Sequence, residues 1–104
     1  MHYDRAVFVD IDWSRRGAYM EASHGISVEV ADDALGDPNR VVIDPDYNSM
    51  SGRSVRIIGY SALADAVVTV IVLSDGGVEY GVNGWLANEK DQRIYREADA
   101  HGQD

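Results

Sequence analysis

Arg56, Tyr60, Asn83 and Trp85 are the residues whose types and spacing could do chemistry on a nucleic acid. A guanidinium stabilises a phosphate or the charge that develops during phosphoryl transfer, tyrosine and asparagine orient a substrate, and an indole stacks on a base. All four share one sheet face if residues 54–85 fold as three antiparallel strands. A purely structural arrangement competes with this: Arg56 would pair with Glu79 across the sheet and Trp85 would pack beneath a helix. On spacing alone that arrangement is the commoner one, because cross-strand ion pairs and buried tryptophans are ordinary.

Other chemistries have less behind them. Asp44, Asp46 and Asn48 alternate as calcium loops begin, but Ser49 stands where a glycine is required and Val55 where the bidentate glutamate should be, so a turn is expected and no metal. His2, His24 and His101 lie in separate segments without ligand spacing, so no zinc site is expected either. No G-x-S-x-G elbow or glycine-rich phosphate loop is present. Asp32 and Asp33 are expected on a solvated helix face. No cofactor is implied.

Three strands must position the four residues: SVRIIGYS, AVVTVIVLS and GVEYGVNGW. The middle one is apolar and β-branched at almost every position from 66 to 73, the pattern of a strand covered on both faces. Residues 62–65 join the first two. Asp75-Gly76-Gly77 joins the second and third, either as a two-residue Asp-Gly turn or as a three-residue turn, and one residue of register sends every later side chain to the opposite face. The three-residue turn is preferred. It puts Val55, Ile57, Val68, Val70, Val72, Val78, Tyr80 and Val82 on a core face, and Arg56, Ile58, Tyr60, Val67, Thr69, Ile71, Glu79, Gly81, Asn83 and Trp85 on the other. The alternative buries Glu79, Asn83 and Trp85 among valines, at about 1–3 kcal/mol for each unsatisfied polar group.

Around this sheet, residues 5–13 alternate as an edge strand, with Val7, Val9, Ile11 and Trp13 on one side. Ser14 is expected to cap a helix through about Ser23, with Gly17 weakening its interior. Ser27 caps a second helix whose apolar stripe is Val30, Ala31, Ala34 and Leu35, and Gly36-Asp37-Pro38 stops it. Residues 40–43 form a short strand and 46–52 a mobile loop. Asn88 caps a last helix to about Ala98, with Asp91 three residues after the cap. Its packing stripe is Ile94, Tyr95 and Ala98, and Lys90, Arg93 and Arg96 lie on another side. Residues 99–104 form a frayed tail.

The expected fold class is α+β: one domain over residues 1–104, a small antiparallel sheet with two helices from the first half and a C-terminal helix packed on it. With 104 residues there is room for one core. The absence of cysteine excludes disulfides and thiolate metal sites. No export signal and no apolar run of spanning length is visible, so a cytoplasmic, membrane-free protein is expected. Eighteen acidic against nine basic residues give a net charge of −9, which disfavours nonspecific nucleic-acid binding and suits a basic partner. The basic residues are nonetheless paired or clustered, as Arg15 with Arg16, Arg53 with Arg56, and Lys90 with Arg93 and Arg96.

From His24 onward the chain resembles the BrnT family of toxins from bacterial type II toxin–antitoxin modules. The matching residues are His24-Gly25-Ile26-Ser27, the helix VEVADDAL, Asp37-Pro38, an aspartate-rich loop, Arg56-Ile57-Ile58-Gly59-Tyr60-Ser61, the valine-rich strand, Ala87, and Ile94-Tyr95-Arg96-Glu97. The order and spacing fit over roughly three quarters of the chain. The resemblance implies a RelE-like fold and metal-independent RNA cleavage, in which basic and polar side chains on the sheet activate the ribose 2′-hydroxyl. It also implies inhibition by a ribbon-helix-helix DNA-binding antitoxin, and allows a homodimer within that complex. Arg56 matches the family's sheet arginine, and Arg16 falls near a lysine of its first helix. The family's final strand reads Ile-Ser-Ala-Arg where this chain has Val82-Asn83-Gly84-Trp85, so a tryptophan replaces an arginine, and Glu89, Asp91 and Glu97 interrupt the basic last helix.

Two functions are therefore expected from different classes. The first is a ribonuclease toxin with Arg56 as phosphate stabiliser, Tyr60 and Asn83 as orienting groups, Trp85 as a base platform, and Arg53, Lys90, Arg93 and Arg16 holding RNA. Under it, Arg56→Ala abolishes toxicity in a folded domain. The second is a non-catalytic module that keeps the toxin fold and holds a basic, antitoxin-like partner on its acidic surface.

Overall fold

The computed structural model describes residues 10–101, with side chains described through residue 98. Its fold is the expected α+β arrangement. Helices α1 (Gly17–His24) and α2 (Val28–Leu35) precede strands β1 (Val41–Ile43), β2 (Ser54–Ser61), β3 (Ala66–Asp75) and β4 (Val78–Leu86), and helix α3 (Glu89–His101) follows. The strands form one antiparallel sheet in the order β1-β2-β3-β4. Every position from Val68 to Val72 on β3 is buried, as a strand covered on both faces must be.

α1 and α2 cover one face. There Val68, Val70, Val72 and Ile57 join Trp13, Met20, Ile26, Ala31, Ala34 and Leu35 in the apolar core, with Val42 and Val55 packed against it. Ser27 caps α2 as expected, its hydroxyl accepting from the Val30 N–H at 3.1 Å. α1 starts later than expected. Ser14 donates its hydroxyl to Asp12 instead of capping, residues 14–16 form a turn, and Gly17 is the helix's first residue and not an interior weakness. Of the edge strand expected over residues 5–13, residues 5–9 lie outside the described residues. Asp12 makes a parallel bridge to Tyr80, its N–H bonding the Glu79 carbonyl at 2.8 Å and its carbonyl accepting from Gly81 N–H at 2.9 Å.

The β3–β4 register differs from expectation. Asp75 pairs with Val78, so the turn is the two-residue Gly76-Gly77, both with positive φ, +61° and +82°. Two left-handed residues are what a tight hairpin requires, and glycine adopts them without strain. Val78 and Tyr80 consequently lie on the face away from α1, and Glu79 and Gly81 turn to the α1 side. A one-residue bulge then skips Val82, so that Asn83 pairs with Ile71 and Trp85 with Thr69. This restores Asn83 and Trp85 to the face expected for them. The sequence offered the turn residues but no mark of the bulge.

α3 lies over the opposite face. Asn88 caps it, accepting from the Asp91 N–H at 2.9 Å, and it extends to His101, three residues past the expected end; residues 102–104 of the expected tail lie outside the described residues. On the other side α2 sits so close to β2 that a Cβ on Gly59 would stand 2.1 Å from the Ala34 carbonyl oxygen. Backbone cannot yield as a side chain does. Gly59→Ala is therefore expected to destabilise the domain by about 1–3 kcal/mol, measured as a lower urea midpoint; an unchanged midpoint would mean that α2 does not approach the sheet this closely.

Candidate functional site

Alternation along β2 sends Arg56 to the α3 face, and α3 and the loop before β2 each bring a carboxylate to it. Arg56 Nε donates to Asp46 Oδ1 at 2.7 Å and Nη1 to Asp91 Oδ2 at 2.6 Å. Arg56 is 2% exposed and Asp91 fully buried. Asp91 also accepts from the hydroxyl of Tyr47 at 2.5 Å and that of Thr69 at 2.7 Å. The Tyr47 ring lies 4.2 Å from the guanidinium carbon of Arg56 and 3.9 Å from Lys90 Nζ. The loop is held as well, by Asp46 N–H donating to the Ser54 carbonyl at 2.8 Å.

The electrostatics follow from this geometry. Burial by itself pulls the Arg56 pKa down, but its hydrogen bonds to Asp46 and Asp91 outweigh burial and raise it above the ordinary value. Burial pushes Asp91 up, and the donors Tyr47, Thr69 and Arg56 outweigh it, holding the carboxyl below the usual range. Burial and the bond to Asp91 both raise the Tyr47 hydroxyl. One cation here serves two anions. A phosphate approaching Arg56 would meet a guanidinium whose charge is already more than balanced.

Along the same face the sheet changes character. Trp85 is half-buried, its ring 5.6 Å from the Arg56 guanidinium carbon on one side and 5.7 Å from the His24 ring on another, tilted at 55°. His24 is exposed at the end of α1. Arg16, exposed at the start of α1, donates Nε to the Val82 carbonyl at 3.2 Å and lies 4.0 Å over the Tyr19 ring. Asn83 is half-buried and its carbonyl oxygen accepts from Gly84 N–H. α1 thus runs beside the rim of β4 and sets a cation at one end and an imidazole at the other.

Of the residues singled out from the sequence, Arg56, Asn83 and Trp85 come together on adjoining cross-strand rows, Arg56-Ile71-Asn83 and Ile58-Thr69-Trp85. Tyr60 does not join them. It lies four residues along β2, about 13 Å away at strand spacing, 39% exposed, with its hydroxyl on Asp65 and its N–H on Asp37. Lys90 stands over Tyr47; Arg93 is exposed on α3, and Arg53 is exposed just before β2. Among the described residues no cluster of three imidazole or carboxylate groups could hold a metal.

No family model and no curated protein matches the chain.

The cross-strand partner expected for Arg56 is also different: Glu79 accepts from Ser74, two strands from Arg56, and the true partners are Asp46 and Asp91. Neither was legible as such. Asp46 read as a turn residue and Asp91 as a member of the α3 capping pattern, roles that say nothing of where a carboxylate points. His24 read as one of three histidines without ligand spacing and as the first residue of the family-like His24-Gly25-Ile26-Ser27 element, neither of which assigns it chemistry.

The pairing changes what Arg56 variants report. Arg56→Ala or Arg56→Met strands two carboxylates beneath α3, so a lost activity in either variant has to be read beside a lost stability. A loss of about 3–5 kcal/mol is expected, seen in urea denaturation. Because the pKa of Asp91 is depressed in the folded state, its contribution is complete above the unfolded carboxylate value and lost as pH falls through the folded one. Melting temperature should therefore drop in acid below about pH 4, and Asp91→Asn should flatten that part of the profile; a wild-type profile flat to pH 2 would contradict the pairing.

Proposed function

We propose that the chain is the toxin of a bacterial type II toxin–antitoxin module, of the BrnT type. It acts in the cytoplasm as a metal-independent endoribonuclease, with RNA engaged at the rim around Trp85 and not at Arg56. The observation that carries this is the half-exposed Trp85 ring on the polar sheet face with an exposed imidazole beside it. A half-exposed indole offers a stacking surface to an unpaired base, and Arg16, Lys90 and Arg93 are exposed cations that can meet the backbone. The order of elements supports the reading too: two helices, an antiparallel sheet, a C-terminal helix. No helix among the described residues is long and apolar enough to cross a membrane. The inhibiting partner is a basic, ribbon-helix-helix antitoxin, drawn to a chain of net charge −9.

A second reading, the non-catalytic module, is favoured by one observation: the sheet arginine that the family would present to RNA is held by two carboxylates. Both readings keep the antitoxin. Induced expression of wild type and Trp85→Ala in a bacterial host, with growth and total RNA followed together, separates them. Arrest with cleaved RNA in the wild type, relieved by Trp85→Ala, supports the ribonuclease. Normal growth and intact RNA from folded wild type leaves the binding module.

A further inference from the structure

We propose that His24 is the proton acceptor for the ribose 2′-hydroxyl at a single-stranded RNA site built from His24, Trp85, Asn83 and Arg16; this rests on the ribonuclease reading above. Four observations converge on it. The His24 ring is exposed and lies 5.7 Å from the Trp85 ring. Among the described residues neither of its ring nitrogens has a hydrogen-bond partner, so a nitrogen is open to a ligand. Gly25, at φ +71°, ends α1 directly after it, so His24 stands at the exposed end of the helix beside the β4 rim. Asn83, two residues before Trp85 on the same face, uses its carbonyl oxygen on Gly84 N–H, which leaves its amide N–H groups to donate.

The arrangement suits a nucleotide stacked through its base on Trp85. Its ribose then comes within reach of His24, whose ring centre lies 5.7 Å from that of the indole. The Asn83 amide and the terminal nitrogens of Arg16 are the donors left for the backbone; among its hydrogen bonds Arg16 commits only Nε, to the Val82 carbonyl. The chemistry needs nothing that the chain and water do not supply. His24 takes the 2′-hydroxyl proton, the 2′-oxygen bonds to phosphorus, and the bond from phosphorus to the 5′-oxygen breaks. The departing 5′-oxygen takes a proton from water, and His24 returns its own to water. The products are a 2′,3′-cyclic phosphate and a 5′-hydroxyl. Stacking demands an unpaired base, so duplex RNA is a poor substrate. The nucleophile belongs to the substrate, so DNA of the same sequence binds uncut.

The test uses the full chain and 5′-labelled single-stranded deoxyoligonucleotides, each carrying one ribonucleotide with one of the four bases, beside all-deoxy versions. Wild type is expected to cut at the ribonucleotide and leave a 2′,3′-cyclic end. His24→Gln, at an exposed position that leaves the core intact, is expected to cut at least about a hundredfold more slowly, a loss larger than any change in its binding of the all-deoxy strand. Trp85→Ala is expected to weaken all-deoxy binding by roughly tenfold or more, with thermal melting confirming that each variant is folded. Equal cutting by wild type and His24→Gln overturns the assignment of His24 and leaves the ribonuclease standing. Binding by wild type without cutting overturns the assignment and the catalysis together. No binding of any strand by folded wild type removes the RNA reading itself.

Discussion

A guanidinium buried on a sheet face persists only while carboxylates share its burial, and the contact of Arg56 with Asp46 and Asp91 is the constraint on which the α3 side of this protein depends. Desolvating an ion costs several kcal/mol, recovered only through good geometry and saturated hydrogen bonding. Both are present: bonds of 2.6 and 2.7 Å to Arg56, and hydroxyls from Tyr47 and Thr69 on Asp91. The three charged residues come from a loop, a strand and a helix, so the contact fixes how these three segments meet. Among the described residues, α3 has the half-buried Ile94, Tyr95 and Ala98 as its apolar stripe. A stripe that short lets a helix slide or rotate; a carboxylate seated on a buried arginine does not. The bond from the Tyr95 hydroxyl to Asp37, about one turn of helix further on, gives α3 a second fixed point.

The same contact divides the polar face into two regions. Around Arg56 the charges are buried and sum to one excess negative, which repels an anion at short range where screening is weak. Around Trp85 the surface is aromatic and reachable, and its cations are peripheral. Under the proposed ribonuclease reading, a chain of net charge −9 would hold RNA less by attraction to phosphate than by stacking, which is indifferent to net charge.

What was legible in the sequence was local. Ser27 and Asn88 each cap a helix through their own neighbours, the β2–β3 pairing follows from one short turn, and the valines of β3 declare their burial by type alone. What was not legible was long-range. Asp91 lies 35 residues from Arg56, and no local pattern separates a carboxylate that turns inward from one that faces water. His24 meets Trp85 only because α1 lies along β4, a packing that neither segment announces. The loop expected to be mobile is instead tied in through Asp46 and Tyr47.

The bulge at Val82 links the two faces of β4. With Asp75 opposite Val78, an unbroken ladder would carry Gly81 to the α1 side and then Asn83 and Trp85 after it, into the space of Met20 and Ile26. Gly81 must be there, since a Cβ on it would meet the Trp13 ring at 2.4 Å. Asn83 and Trp85 must not, because an amide and an indole N–H would then be buried without partners. One skipped residue satisfies both demands: Gly81 and Gly84 admit the core side chains, and Asn83 and Trp85 turn to the other face. A bulge leaves a backbone group outside the ladder, and a carbonyl so left needs a donor. Arg16 supplies it, reaching from the start of α1 to the Val82 carbonyl. The residue that satisfies the irregularity in β4 also holds α1 along the strand, and α1 held there carries His24 to Trp85.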